Sequence, residues 1–111
     1  MDCLYEILVP TIRNDGRPIK TRFHRIWDAR VRAITGGLSI LSPIKGQWIS
    51  GSGHLFQERM IPVRIMCSPL VIETIADMTA KYYEQEAVMF WKLSDEVRIK
   101  VYDKAARSSC N

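Results

Sequence analysis

The sequence predicts an α+β fold, an antiparallel sheet with two helices on one of its faces, built as a single domain. Three observations lead there. Two stretches, Lys20 to Ile34 and Ser68 to Tyr83, repeat apolar residues at helical spacing. Between them, Gly36 to Cys67 is punctuated by glycine and proline and reads as strands, and short β-rich runs open and close the chain. The 111 residues, 47% hydrophobic and 25% charged, suit one hydrophobic core. The expected domain covers residues 1–102; residues 103–111 carry no pattern and are expected to form a flexible tail.

Taken in order, Leu4 to Val9 is apolar but for Glu6 and is closed by Pro10, the pattern of a central strand covered on both faces. Asn14-Asp15-Gly16-Arg17-Pro18 supplies turn residues and is a loop. In the first helix Phe23, Ile26, Trp27, Val31 and Ile34 form one stripe, and Thr35-Gly36-Gly37 stops it. Arg30 falls inside that stripe, so it is expected to be at least half buried and paired with Glu6 or Glu58, since an uncompensated charge there is costly. Leu38 to Leu41 and Gln47 to Ser50 are short strands separated by turns. Leu55 to Cys67 is the longest strand, with Ile61, Val63 and Ile65 on one face and Glu58, Met60, Pro62, Arg64 and Met66 on the other. Pro62 cannot donate to a ladder and marks an edge or a bulge. Ser68-Pro69 starts the second helix as cap and first residue. Ala87 to Leu93 is a strand apolar on both faces, and Glu96 to Tyr102 alternates as a last strand with Val97, Ile99 and Val101 inward. The order β-α-β-β-β-α-β-β is the ferredoxin-like split βαβ pattern.

Charge and composition bound the function. The net charge of +4 is local: seven basic residues lie between Arg13 and Arg32 against Asp15 and Asp28. That segment either binds an anion or faces the acidic side of the second helix. Cys3, Cys67 and Cys110 are odd in number and widely spaced, so reduced thiols are expected rather than a disulfide framework or zinc knuckle. With no long apolar run and an acidic start, the chain reads as cytoplasmic, with no membrane partner.

The pieces Gly37-Leu38-Ser39, Gly46-Gln47-Trp48, Gly53 followed by Glu58, and Gln85-Glu86-Ala87-Val88 resemble an uncharacterised family of small bacterial α+β proteins, a domain of unknown function. Ser39 and Ala87 stand where the pattern has Thr and Ser. The resemblance implies a fold and brings no activity with it.

No recognised catalytic motif is present. His24 and Asp28, at i and i+4, suit a metal or acid–base pair as well as an ordinary surface pair, but with no acidic cluster nearby no metal or cofactor is expected. A small-molecule pocket, if formed, is expected among Trp48, Glu58, Arg64 and Gln85 with Arg30 as its floor, because an apolar wall there meets a few polar groups. The leading functional reading is a ligand-binding or protein-interaction module; the alternatives are a cofactor-free enzyme of the dimeric ferredoxin-like type and an RNA-binding module using the basic first helix. A homodimer through the sheet face left uncovered by the two helices is expected, since that face carries apolar side chains.

Overall fold

The structure is a computed structural model that describes residues 1–103. Its elements are β1 (Cys3–Pro10), α1 (Thr21–Thr35), β2 (Ser39–Ile40), β3 (Ile44–Ile49), β4 (Leu55–Cys67), α2 (Pro69–Tyr82) and β5 (Phe90–Ser94). They form an antiparallel sheet ordered β2-β4-β1-β5, with β3 pairing β4 beside β2, and both helices on one face. This is the ferredoxin-like arrangement expected from the pattern. Apart from Asp103, the tail expected for residues 103–111 lies outside the described residues.

The core lies between sheet and helices. Cys3, Tyr5, Ile7 and Val9 alternate from β1 and Val63, Ile65 and Cys67 from β4 toward Trp27, Val31, Ile72, Ile75 and Tyr83. The helices begin and end as their residues dictate: Ser68 caps α2 by accepting from the Val71 N–H at 3.2 Å, and Gly36 closes α1 in the left-handed region at φ 89°. Between the helices the buried Trp27 indole N–H donates to Thr79 Oγ1 at 3.0 Å, and Phe23 stacks on Tyr82 at 4.2 Å. The ion pairs formed among the described residues are Arg17–Asp15, Arg64–Glu6, Lys92–Asp95 and Arg98–Glu96, and none joins α1 to α2. Aromatic packing, not opposed charge, makes that contact.

Two sequence expectations fail here. Arg30 is exposed and sits 5.1 Å from the Tyr82 ring centroid. The helix is rotated so that the Trp27–Val31 line points inward, which carries the neighbouring ridge of Ile26, Arg30 and Ile34 outward. Glu6 is instead paired with Arg64, directly across the β1–β4 ladder, with Nε 3.1 Å from Oε1. Residues 96–102 do not form a strand; Ile99 and Val101 point to solvent at 70% and 86% exposure. A turn in which Ser94 Oγ bonds the backbone of Glu96 ends β5 and leaves the alternating segment without a partner strand among the described residues.

Pro62 sits at a bulge, within the central strand. Its carbonyl accepts from the Leu41 N–H at 2.9 Å, so its nitrogen faces the same side, at the gap where β2 ends and β3 begins. The β4 partner register slips there by one, from Ile40↔Val63 to Ile44↔Met60 across the intervening residues. β3 therefore starts at Ile44 rather than at Gln47.

Candidate functional site

Strand β4 outruns β1. The β1–β4 ladder stops at Pro10↔Met60, whereas β3 and β4 continue pairing to Ile49↔Leu55. Residues Leu55 to Arg59 thus belong to a two-stranded ribbon of about 17 Å projecting from the sheet at the usual strand rise. Its tip turns at Gly53, in the left-handed region at φ 83°, with the Ser50 N–H donating to the His54 carbonyl at 2.9 Å.

The chain leaving β1 runs back along the free edge of this ribbon. Thr11 Oγ1 donates to the Arg59 carbonyl at 2.8 Å, Ile12 bridges to Pro18, and Asn14 Nδ2 donates to the Glu84 carbonyl at 2.7 Å. Gln85 Nε2 in turn reaches Asn14 Oδ1 at 3.4 Å and the Tyr83 carbonyl at 3.0 Å. Glu84 adopts φ 54°, a left-handed backbone that turns the chain sharply after α2 and presents its carbonyl to Asn14. The loop is held at both ends by these bonds.

Between loop and ribbon lies a groove of about 300 Å³, walled by Pro10 to Asn14 on one side, Phe56 to Met60 on the other, and Gln85 at one end. A shallower hollow shares Ile12 and Gln57 to Arg59 with it and adds Pro43 and Lys45. Because Arg59 turns its carbonyl toward the loop, Gln57, two residues earlier, presents its N–H and C=O to the same edge, as a donor–acceptor pair beside the groove. Glu58 is half-buried and has neither hydrogen bond nor ion pair among the described residues.

Of the residues expected at a pocket, Glu58 and Gln85 line this one groove. Trp48 pairs with Phe56, so it lies on the same ribbon face as Glu58 but two pairs nearer the tip. Arg64 is six residues along β4 from Glu58 and engaged with Glu6, in a separate hollow with Leu4, Met66 and Ile99. Arg30, on the outer side of α1, is no floor to either. Thr11, Asn14 and Gln57 were not singled out from the sequence; the Asn-Asp-Gly turn announced a loop, but only long-range hydrogen bonds place it.

His24 and Asp28 face α2. His24 Nδ1 and the Tyr83 hydroxyl share a hydrogen bond of 2.7 Å. Burial lowers the His24 pKa, against the pull of Asp28, and burial raises that of Asp28 and of the Tyr83 phenol. Burial likewise pushes the Cys67 thiol up to about 11, and Cys3 and Cys67, opposite each other in the ladder, are both free and buried. Among the described residues, no three His, Cys, Asp or Glu side chains gather as a metal site, and no helix is long and apolar enough to cross a membrane.

No family model matches the chain, and no curated protein does, so the resemblance to the uncharacterised bacterial family finds no such support. Solved structures are similar to it over most of their length. The divalent cation tolerance protein CutA1 from Thermus thermophilus matches with a TM-score of 0.62 at 7% identity, covering 97% of this chain and 93% of that one. The periplasmic divalent cation tolerance protein CutA from Archaeoglobus fulgidus matches at 0.65 and 12%, covering 90% and 89%. A phage SAM lyase in complex with S-methyl-5'-thioadenosine matches at 0.65 and 16%, covering 91% and 87%. At such identities the likeness establishes the fold alone: the chain has the ferredoxin-like α+β architecture of the CutA1 proteins.

Proposed function

We propose that this chain is a self-associating small-molecule binding protein, and that its groove between the β1–α1 loop and the β3–β4 ribbon takes a nucleoside-type ligand such as the S-methyl-5'-thioadenosine held by the similar phage lyase. The observation that carries this reading is the half-buried, unpaired Glu58 carboxylate beside the free Gln57 backbone edge. A carboxylate accepts from both hydroxyls of a ribose diol, and an N–H and C=O on one strand edge match the donor–acceptor edge of a purine. Phe56 and Met60 supply the apolar wall. A resident divalent cation is less well supported, because among the described residues no ligand cluster is formed.

Self-association follows from the ribbon. A two-stranded ribbon is marginal by itself, and this one exposes Ile44, Trp48, Ile49, Leu55 and Phe56, with Ile49 at 71%. By contrast Glu6, Leu8 and Met60, on the sheet face away from the helices, are already buried. The second copy therefore covers the ribbon and the margin of that face, a two-fold dimer being the simplest closed form.

Thermal melting with S-methyl-5'-thioadenosine, and separately with zinc and copper salts, tests the ligand. At a hundred times Kd a ligand bound only by the folded state stabilises by about 2.7 kcal/mol. Glu58→Gln should abolish the nucleoside shift while leaving unliganded stability within about 0.5 kcal/mol, since the carboxylate has no partner to lose. A shift with metal salts and none with the nucleoside would refute the proposal.

A further inference from the structure

We propose a second binding site, on the other side of the β1–α1 loop, for a small multiply charged phosphate such as the polyphosphate chain of a nucleoside di- or triphosphate. Two adjoining hollows meet there, of about 540 Å³ and about 270 Å³, sharing Arg13, Arg17 and Phe23. Lys81 borders the larger one, Lys20 and Arg22 the smaller. These five cations face only two acids, Asp15 and Glu84, and no acid stands in the first turn of α1. Such a concentration of like charge raises the local potential and draws an anion of more than one charge.

The cations are positioned rather than merely abundant. Arg13 is half-buried, its guanidinium carbon 4.7 Å from the Phe23 ring centroid, and it forms no close ion pair among the described residues, Asp15 acting on it only at longer range. Phe23 is itself stacked on Tyr82, so Arg13 rests on a pile anchored to α2. A stacked guanidinium keeps its plane and leaves its N–H edge free for a forked bond to phosphate oxygens. Arg17 is aligned by Asp15, whose Oδ2 lies 2.6 Å from Nη2 and 2.7 Å from Nε, which leaves Nη1 free of that pair. Lys81 has no ion pair among the described residues and closes the hollow from α2 as a mobile point charge.

The same packing selects against single-stranded nucleic acid. Proteins that bind it stack bases on exposed aromatic faces. Here the Phe23 ring is taken by Arg13 and Tyr82, and the Tyr82 ring by Phe23 and Arg30. A concave hollow of this volume, in the range of small-molecule sites, fits a compact phosphate.

Titration calorimetry of the full chain with inorganic tripolyphosphate at about 0.1 M ionic strength, where the screening length is about 10 Å, tests the site, with orthophosphate and a short oligouridylate for comparison. Tripolyphosphate is expected to bind once per chain and to outbind both. Lys81→Gln and Arg13→Gln should each weaken it about tenfold, the value of a charge-assisted hydrogen bond. Lys81 is exposed, so its loss does not endanger the fold. Arg32→Gln, the same charge change at the far end of α1, should change it less than about twofold, because an exposed charge that far along the helix is screened. Equal losses for Lys81→Gln and Arg32→Gln, or an oligouridylate that binds more tightly than tripolyphosphate, would overturn the proposal.

Discussion

The contact that aligns the two helices over the sheet can be tested at Thr79. Its side chain is fully buried; its hydroxyl accepts from the Trp27 indole N–H at 3.0 Å and donates to the Ile75 carbonyl at 2.6 Å. Thr79→Val keeps the shape and removes the acceptor. Trp27, 1% exposed, has no water to turn to, so its N–H is left unsatisfied at a cost of about 1–3 kcal/mol. Thr79→Ser keeps both bonds and deletes a methyl group, worth about 1 kcal/mol with the void it leaves. Valine should therefore be the more damaging change although it is the more apolar one. Urea unfolding followed by Trp fluorescence and far-UV circular dichroism, at one protomer concentration so that self-association stays constant, measures the difference. A loss of about 2 kcal/mol corresponds to roughly 10 °C in Tm for a domain of this size. If Thr79→Val proves as stable as the parent, or more stable than Thr79→Ser, the hydrogen bond contributes nothing and α1 is placed by packing alone.

Trp48→Glu puts a charge on the exposed ribbon and should reduce the mass seen by light scattering at micromolar concentration to the 12.8 kDa of one chain with the helical signal retained; a parent already at that mass would remove the self-association argument. His24 has a folded pKa below its ordinary value of 6.5, so the unfolded state binds its proton more readily. Its contribution is complete above about pH 6.5 and lost as pH falls from there through the folded pKa, and His24→Phe should flatten stability over that window; an unchanged slope would refute the burial argument. Cys67, with its thiol held at about 11 by burial, should resist alkylation at pH 8 in the native protein and react at once in denaturant; equal rates in both states would contradict its burial.

The ribbon groove was legible in part. Glu58 and Gln85 stood out as polar residues beside apolar strands, and the Asn14-Asp15-Gly16 turn declared a loop of the right composition. That the loop folds back on β4 is a matter of Thr11 meeting the Arg59 carbonyl and Asn14 meeting Glu84, pairs 48 and 70 residues apart. No local pattern encodes such a meeting.

Local sequence pattern by itself determined the seven elements that form, the apolar face of β4, and the start of α2 at Ser68-Pro69, because alternation, helical spacing and capping are properties of consecutive residues. Tertiary structure decided the rest. An apolar stripe more than one ridge wide permits several rotations of α1, and only docking of Trp27 onto Thr79 selects the one that leaves Arg30 outside. Glu6 meets Arg64 rather than Arg30 because strand register, not proximity in sequence, chooses its neighbour. The alternation in residues 96–102 is a strand pattern without a strand, since a ladder requires a second chain segment within hydrogen-bonding distance and the segment's own sequence does not supply one.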